Sequence, residues 1–217
     1  MDFGLAFSFP FQDEKWIEKI VIAAVISIIP IIGWFALLGW AIEIGRRVIN
    51  GEDEVLADWS DFGGLLALGF KAWVATLVFS IPLIIVWIPV GLFTGLVGST
   101  DGDAAGAIIS LVSFCMICLT FTYSIALLFA IPASYGRLAA SDGDLGDSLN
   151  FREIWNMISS APSAYLIVLL GYLVASFIAS LGTIICFVGV FLTTAYALAV
   201  EGHLLGQAYK ETVATKA

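Results

Sequence analysis

Glu43, Arg46 and Arg47 stand together in "GWAIEIGRRVIN", at the close of a strongly apolar stretch. Spacings of three and four residues put the carboxylate and both guanidinium groups on one helical face, where a local ion pair forms. An ionisable group inside a membrane is costly, so such a residue is the first place to look for an ion or proton relay. The plainer reading is a helix end anchored by snorkelling charges, and the local pairing favours it. Glu201 and His203 form a second candidate, following a run from Ala161 to Val200 that holds no charged residue. Two residues apart on a helix, they point to different faces and do not bind one ion unaided. His203 is the only histidine. It is a candidate axial ligand for haem or a pigment metal, although a hydrogen bond to a neighbouring helix accounts for it more simply.

Cys115 and Cys118 sit mid-segment in "SFCMICLTF". Their spacing places both sulfurs on one face, but no further ligand stands nearby and packing is the expected role. Glu52, Asp53, Glu54, Asp58 and Asp61 make an acidic linker whose spacing does not fit a calcium loop. It reads as a solvated acidic loop or a surface for a basic partner. No phosphate loop, nucleophile elbow or zincin motif is present. No catalytic residue, metal site or cofactor is therefore expected.

These residues are set in a chain of 217 residues that is 60% hydrophobic and 12% charged, with a mean hydropathy of +1.02. A soluble domain carries about 25% charged residues. The apolar runs are continuous, without the alternation of barrel strands, so the expected fold is an all-α transmembrane bundle. The acidic start "MDFGLAFSFPFQDEKW" lacks the basic region of a secretory signal. A net charge of −9 excludes nucleic acid as a partner.

The run "VISIIPIIGWFALLGWAIEIGRR", 25–47, decides the topology. Read as a hairpin turning at Pro30–Gly33, it gives six helices in three hairpins: about 15–50, 66–137 and 161–210. If residues 20–45 form one span, there are five. The hairpin places Lys15, Lys19, Arg46, Arg47, Lys71, Arg137, Arg152, Lys210 and Lys216 all on one face, as the positive-inside rule prefers. Both termini are then cytoplasmic and Pro30–Gly33 is an external turn. Its arms have about 16 to 18 residues each, the lower end of what spans a bilayer. Cytoplasmic linkers 50–65 and 138–160 join the hairpins, and "SLGTIICFVG" is the third turn, with Gly182 and Thr183 at its tip. In the second linker, Asn150 and Glu153 have capping-box spacing ahead of an amphipathic stripe of Phe151, Ile154, Trp155 and Ile158. Gly91-x-x-x-Gly95 and Gly202-x-x-x-Gly206 are helix-packing patterns.

Three stretches, "FPFQDEKWIEK", "GRRVINGED" through "LADWSDF", and "HLLGQAY", together resemble the prokaryotic membrane proteins of the domain of unknown function 4013 family. Where that family tends to show Leu-Pro before the acidic-Trp step, this chain has Leu56-Ala57-Asp58-Trp59. The resemblance implies a multi-pass membrane domain of bacteria or archaea and carries no assigned reaction. The expected role is a non-enzymatic accessory or structural subunit of the cytoplasmic membrane, contacting lipid and other membrane proteins or itself. The alternative is a small pseudo-symmetric transporter or channel with Glu43, Glu201 and His203 around one cavity. Pigment or haem binding through His203 is a third reading.

Overall fold

A computed structural model describes residues 1–97, 103–185 and 187–216. Among them there is no strand, and the fold is all-α. The helices are α1 (Phe3–Ser8), α2 (Trp16–Ser27), α3 (Ile32–Asn50), α4 (Phe62–Val97), α5 (Asp103–Ala140), α6 (Leu145–Ser148), α7 (Phe151–Ser160), α8 (Pro162–Leu181) and α9 (Phe187–Lys216).

Residues 20–45 are not one helix. The chain breaks between α2 and α3, where Pro30 supplies no N–H and drives the residue before it out of helical geometry. Ile31 takes φ 66°. Beyond the break the chain folds back: Ile20 and Ala23 of α2 share a buried cluster with Leu37, Trp40 and Ile44 of α3. The arms are unequal, with 12 residues in α2 and 19 in α3.

The second hairpin is longer than its apolar run indicates. The Asp61 carboxylate accepts the Gly64 N–H at 2.9 Å, so α4 starts at Phe62, while α5 continues to Ala140. Pro82 and Pro89 lie inside α4 without ending it. In the linker that follows, Asn150 caps α7 by accepting the Glu153 N–H at 3.2 Å, as the capping-box spacing predicts. The stripe on α7 divides, however. Ile154 and Ile158 pack towards Phe79, Ala133 and Tyr165, whereas Trp155 is 71% exposed and Phe151 meets the Phe79 ring edge-on at 4.8 Å. The reason is that Met157, on the inner face, completes the buried side and leaves Trp155 outside.

The third reversal falls at Gly182–Ile185, where the sequence places it; Cys186 lies outside the described residues. The N-terminal segment returns along α9. Tyr196 donates its hydroxyl to Phe7 O at 2.6 Å, and Gln207 exchanges two hydrogen bonds with the Asp2 backbone. Among the described residues three helices are long and apolar enough to cross a membrane: Phe62–Leu96, Gly106–Ala140 and Pro162–Ile184.

Two close approaches set the packing of α3. A Cβ on Gly39 would fall 1.8 Å from Leu65 O, and one on Gly69 would fall 1.7 Å from Phe35 O. The pairing of rising with falling numbers makes α3 and α4 antiparallel. On its other side α3 runs parallel to α9: a Cβ on Gly202 would lie 2.1 Å from Ala41 O, and one on Gly206 2.5 Å from Gly45 O.

Candidate functional site

The charged residues singled out by spacing gather at one end of the bundle. Arg46 Nη1 lies 3.0 Å from Glu43 Oε2, and Arg47 Nε lies 3.7 Å from Glu43 Oε1. The i+3 and i+4 pairing is thus made, and it is extended by groups far away in sequence. Arg47 Nη2 meets Asp58 Oδ2 at 3.2 Å, and its Nη1 donates to Glu54 O at 3.1 Å. Arg46 Nε donates to Ala139 O at 3.4 Å and stands 3.8 Å from Asp142 Oδ1. Lys71 Nζ donates to Gly143 O at 2.8 Å. A cavity of about 330 Å³ lies among Glu43, Arg46, Arg47, Asp58, Lys71 and Asp142. Both guanidinium groups meet carboxylates and carbonyls, which fastens both linkers to α3, although the buried Arg47 Nε makes no hydrogen bond of its own.

Glu52, Asp53, Glu54 and Asp61 of the first linker are exposed, as expected of a solvated acidic loop, but its apolar residues are not. Leu56 and Ala57 are 1% and 0% exposed. Trp40 Nε1 donates to Ala57 O at 2.8 Å, and the Trp40 and Trp59 rings stack at 5.4 Å. Trp59 Nε1 in turn donates to Lys19 O at 3.0 Å. Lys19 is itself buried, with Nζ 2.6 Å from Asp13 Oδ2 and 2.7 Å from Leu56 O. A burial-driven anchor of four apolar or indole residues thus pulls the acidic segment down and turns its carboxylates outward. Outside it, Asp13, Glu14, Glu18, Asp53 and Glu54 line a 700 Å³ cleft with Lys15, Lys19 and Trp59.

Asp58 is held well below the usual carboxylate range, first by the Ser60 hydroxyl and backbone N–H and then by Arg47. A depressed folded pKa contributes stability that is complete above the ordinary value of 3.8 and is lost as pH falls through the lower folded value. The attachment of the linker, followed through Trp59 fluorescence, is therefore expected to weaken only below about pH 4. Asp58→Asn should flatten that acid limb. An identical limb in the variant would show that Asp58 does not carry the attachment.

The remaining candidates do not converge with Glu43. His203 is 3% exposed, stacks on Phe9 at 4.4 Å, and places Nδ1 3.0 Å from Gln207 Nε2. It borders a separate 370 Å³ cavity with Asp2, Val48, Gln207 and Lys210. Glu201 faces the side of α9 nearer Tyr135 of α5 and Tyr172 of α8, within electrostatic reach of both. Cys115 and Cys118 are exposed on α5 rather than packed. Among the described residues no group of three His, Cys, Asp or Glu is placed to hold a metal ion. The two glycine patterns also part: Gly202 and Gly206 seat α9 on α3, while among the described residues nothing beyond the helix's own backbone lies within 4 Å of where a Cβ on Gly91 or Gly95 would be. Sequence spacing found the Glu43–Arg46–Arg47 group but missed Lys19–Asp13, six residues apart across a turn rather than along one helix face, and Trp40–Trp59 and Gln207–Asp2, whose partners lie far along the chain.

An all-helical fold, long apolar helices and charges fastened at one end define the class: an integral membrane protein of α-helical type. The chain belongs to the family described as a protein of unknown function (DUF4013), which matches residues 22–188. That span runs from α2 into the start of α9 and includes the first linker. No curated protein and no solved structure matches the chain.

Proposed function

We propose that the protein is a non-enzymatic accessory subunit of a prokaryotic cytoplasmic membrane, packing against other membrane proteins through the α4–α5 hairpin. The observation behind this reading is how little of that hairpin the chain itself covers. Only 6% of the apolar window of α4, and 6% of that of α5, is buried, against 28% for α8. Both helices are apolar on all sides, and the open Gly91–Gly95 face lets another helix approach closely. The orientation follows from basic residues: Lys19, Arg46, Arg47, Lys71 and Lys210 are tied to the same end of the bundle. By the positive-inside rule that end is cytoplasmic.

Extraction in mild detergent is expected to recover the chain with a membrane partner in fixed stoichiometry. Gly91→Leu/Gly95→Leu should release that partner without lowering the thermal midpoint of the chain, because among the described residues no other helix lies within 4 Å of a Cβ at either site. Recovery of the unaltered chain as an isolated monomer, or a partner retained by the double variant, would count against docking at this face. The dispersal of Glu43, Glu201 and His203 over separate surroundings gives a single transport cavity no comparable support.

A further inference from the structure

We infer that α2–α3 is a re-entrant hairpin, whose tip at 28–34 ends within the hydrocarbon and returns to the face it came from. Its occupant is lipid acyl chain. Length is the first argument. The 12 residues of α2 rise about 18 Å, short of the ~30 Å hydrocarbon core. Its start is fixed among charges, with Lys19 bonded to Asp13 and to the linker carbonyl of Leu56. The tip therefore lies about 18 Å below a charged plane that α3 meets again at Glu43.

Depth relative to the other hairpins is the second argument. From the Gly39–Gly69 contact, α3 runs back seven residues to Ile32, while α4 runs on 28 residues to Val97. The second hairpin thus reaches about 32 Å further along its helix. From the Ala41–Gly202 contact, α3 runs back nine residues to Ile32 and α9 fifteen to Phe187, so the third reaches about 9 Å further. The first hairpin is the shallowest of the three.

The chemistry of the tip is the third argument. A reversal in water draws on Gly, Asn or Asp, whereas this one reads Ile28-Ile29-Pro30-Ile31-Ile32. Ile31 and Trp34 are 72% and 60% exposed to whatever surrounds the chain. Four backbone donors of the reversal are satisfied locally, which lipid favours, while the Ile31 N–H has no partner among the described residues. Ile28, Ile29, Ile32 and Gly33 donate to Val25, Ile26, Pro30 and Ile29 carbonyls at 2.7–3.2 Å, and Pro30 has no donor to satisfy. A β-branched residue at φ 66° is strained, and transfer of its side chain into hydrocarbon offsets that strain. An external aqueous turn, the expectation from charge counting, would need the opposite composition.

The test places Ile31→Cys in the chain with Cys115, Cys118 and Cys186 replaced by alanine. Asp142→Cys, whose side chain is 92% exposed, serves as the surface reference. In right-side-out and inside-out membrane vesicles, a membrane-impermeant maleimide should label position 142 from one side and position 31 from neither. A nitroxide at position 31 should collide freely with oxygen and not with a water-soluble nickel chelate. Labelling of position 31 from either side would overturn the proposal, from the far side by showing a full crossing. Poor access to both oxygen and nickel would overturn it too, because the tip would then be covered by protein.

Discussion

Gly39→Ala and Gly69→Ala are each expected to lower the thermal midpoint of the detergent-solubilised protein by roughly 6 to 12 °C. The single added methyl would occupy space held by a backbone carbonyl, 1.8 Å from Leu65 O in one case and 1.7 Å from Phe35 O in the other. No rotamer change relieves a clash between a Cβ and a main chain, so α3 and α4 must separate. Overpacking of this kind costs about 3 kcal/mol, which for a chain of this size moves a midpoint by about 2 to 4 °C per kcal/mol. Separation also weakens the contacts of Phe35 with Phe70 and Trp73, whose ring centroids lie 5.7 and 5.6 Å away. Each approach lies beside the other, with Gly69 N only 2.9 Å from the added Cβ at Gly39. One displacement therefore accommodates both methyl groups, and the double variant should lose less than the sum of the two. Gly91→Ala is the control. It meets no atom within 4 Å, and alanine in a helix is better than glycine by about 1 kcal/mol. Its midpoint should hold or rise. A Gly39→Ala protein as stable as the unaltered chain would show that α3 and α4 do not approach as described.

The sequence is legible wherever the determining neighbours are local. Pro30 breaks the first run, Asn150 caps α7, and Gly182 begins the third reversal, each through bonds that span only a few residues. The Glu43–Arg46–Arg47 pairing is read from helical spacing for the same reason. Length is less legible than existence. The first hairpin has arms of 12 and 19 residues rather than two similar ones, because Phe9–Gln12 turns and Asp13–Lys15 bends before α2 can begin. Gly39 and Gly69 carry no motif, since each is a lone glycine whose partner stands on another helix. Gly91 and Gly95 do carry one, yet among the described residues no other helix uses it. A small-residue spacing states that close approach is possible; the register between helices decides whether it happens. The linker 51–61 is hardest to read, because its few apolar residues are decisive only in combination with Trp40, Arg47 and Lys19.

Removing the charge of Lys19 tests that combination, and Lys19→Met is expected to destabilise the fold by about 3 to 5 kcal/mol. The Lys19 and Asp13 side chains are 9% and 11% exposed and meet at 2.6 Å. Methionine keeps most of the volume and the apolar stem, so the change isolates the ammonium. Its loss leaves the largely enclosed Asp13 carboxylate without its cation and the Leu56 carbonyl without its donor. A buried acceptor left unmatched costs more than the hydrogen bond contributed, because no water replaces the donor. The effect should spread along the linker, since Trp59 bonds the Lys19 carbonyl and stacks on Trp40. Trp59 fluorescence should shift to the red, and protease cleavage within 51–61 should rise before the helices unfold. Lys19→Met/Asp13→Leu separates the two possible causes. Replacing both charges by apolar groups restores most of the stability if the damage comes from a stranded carboxylate. Linker cleavage should nevertheless stay above the unaltered level, because Leu56 O still lacks a partner. A double variant no more stable than Lys19→Met alone would mean that the ammonium acts chiefly through the Leu56 carbonyl, and that the linker rather than the ion pair sets the stability of the first hairpin.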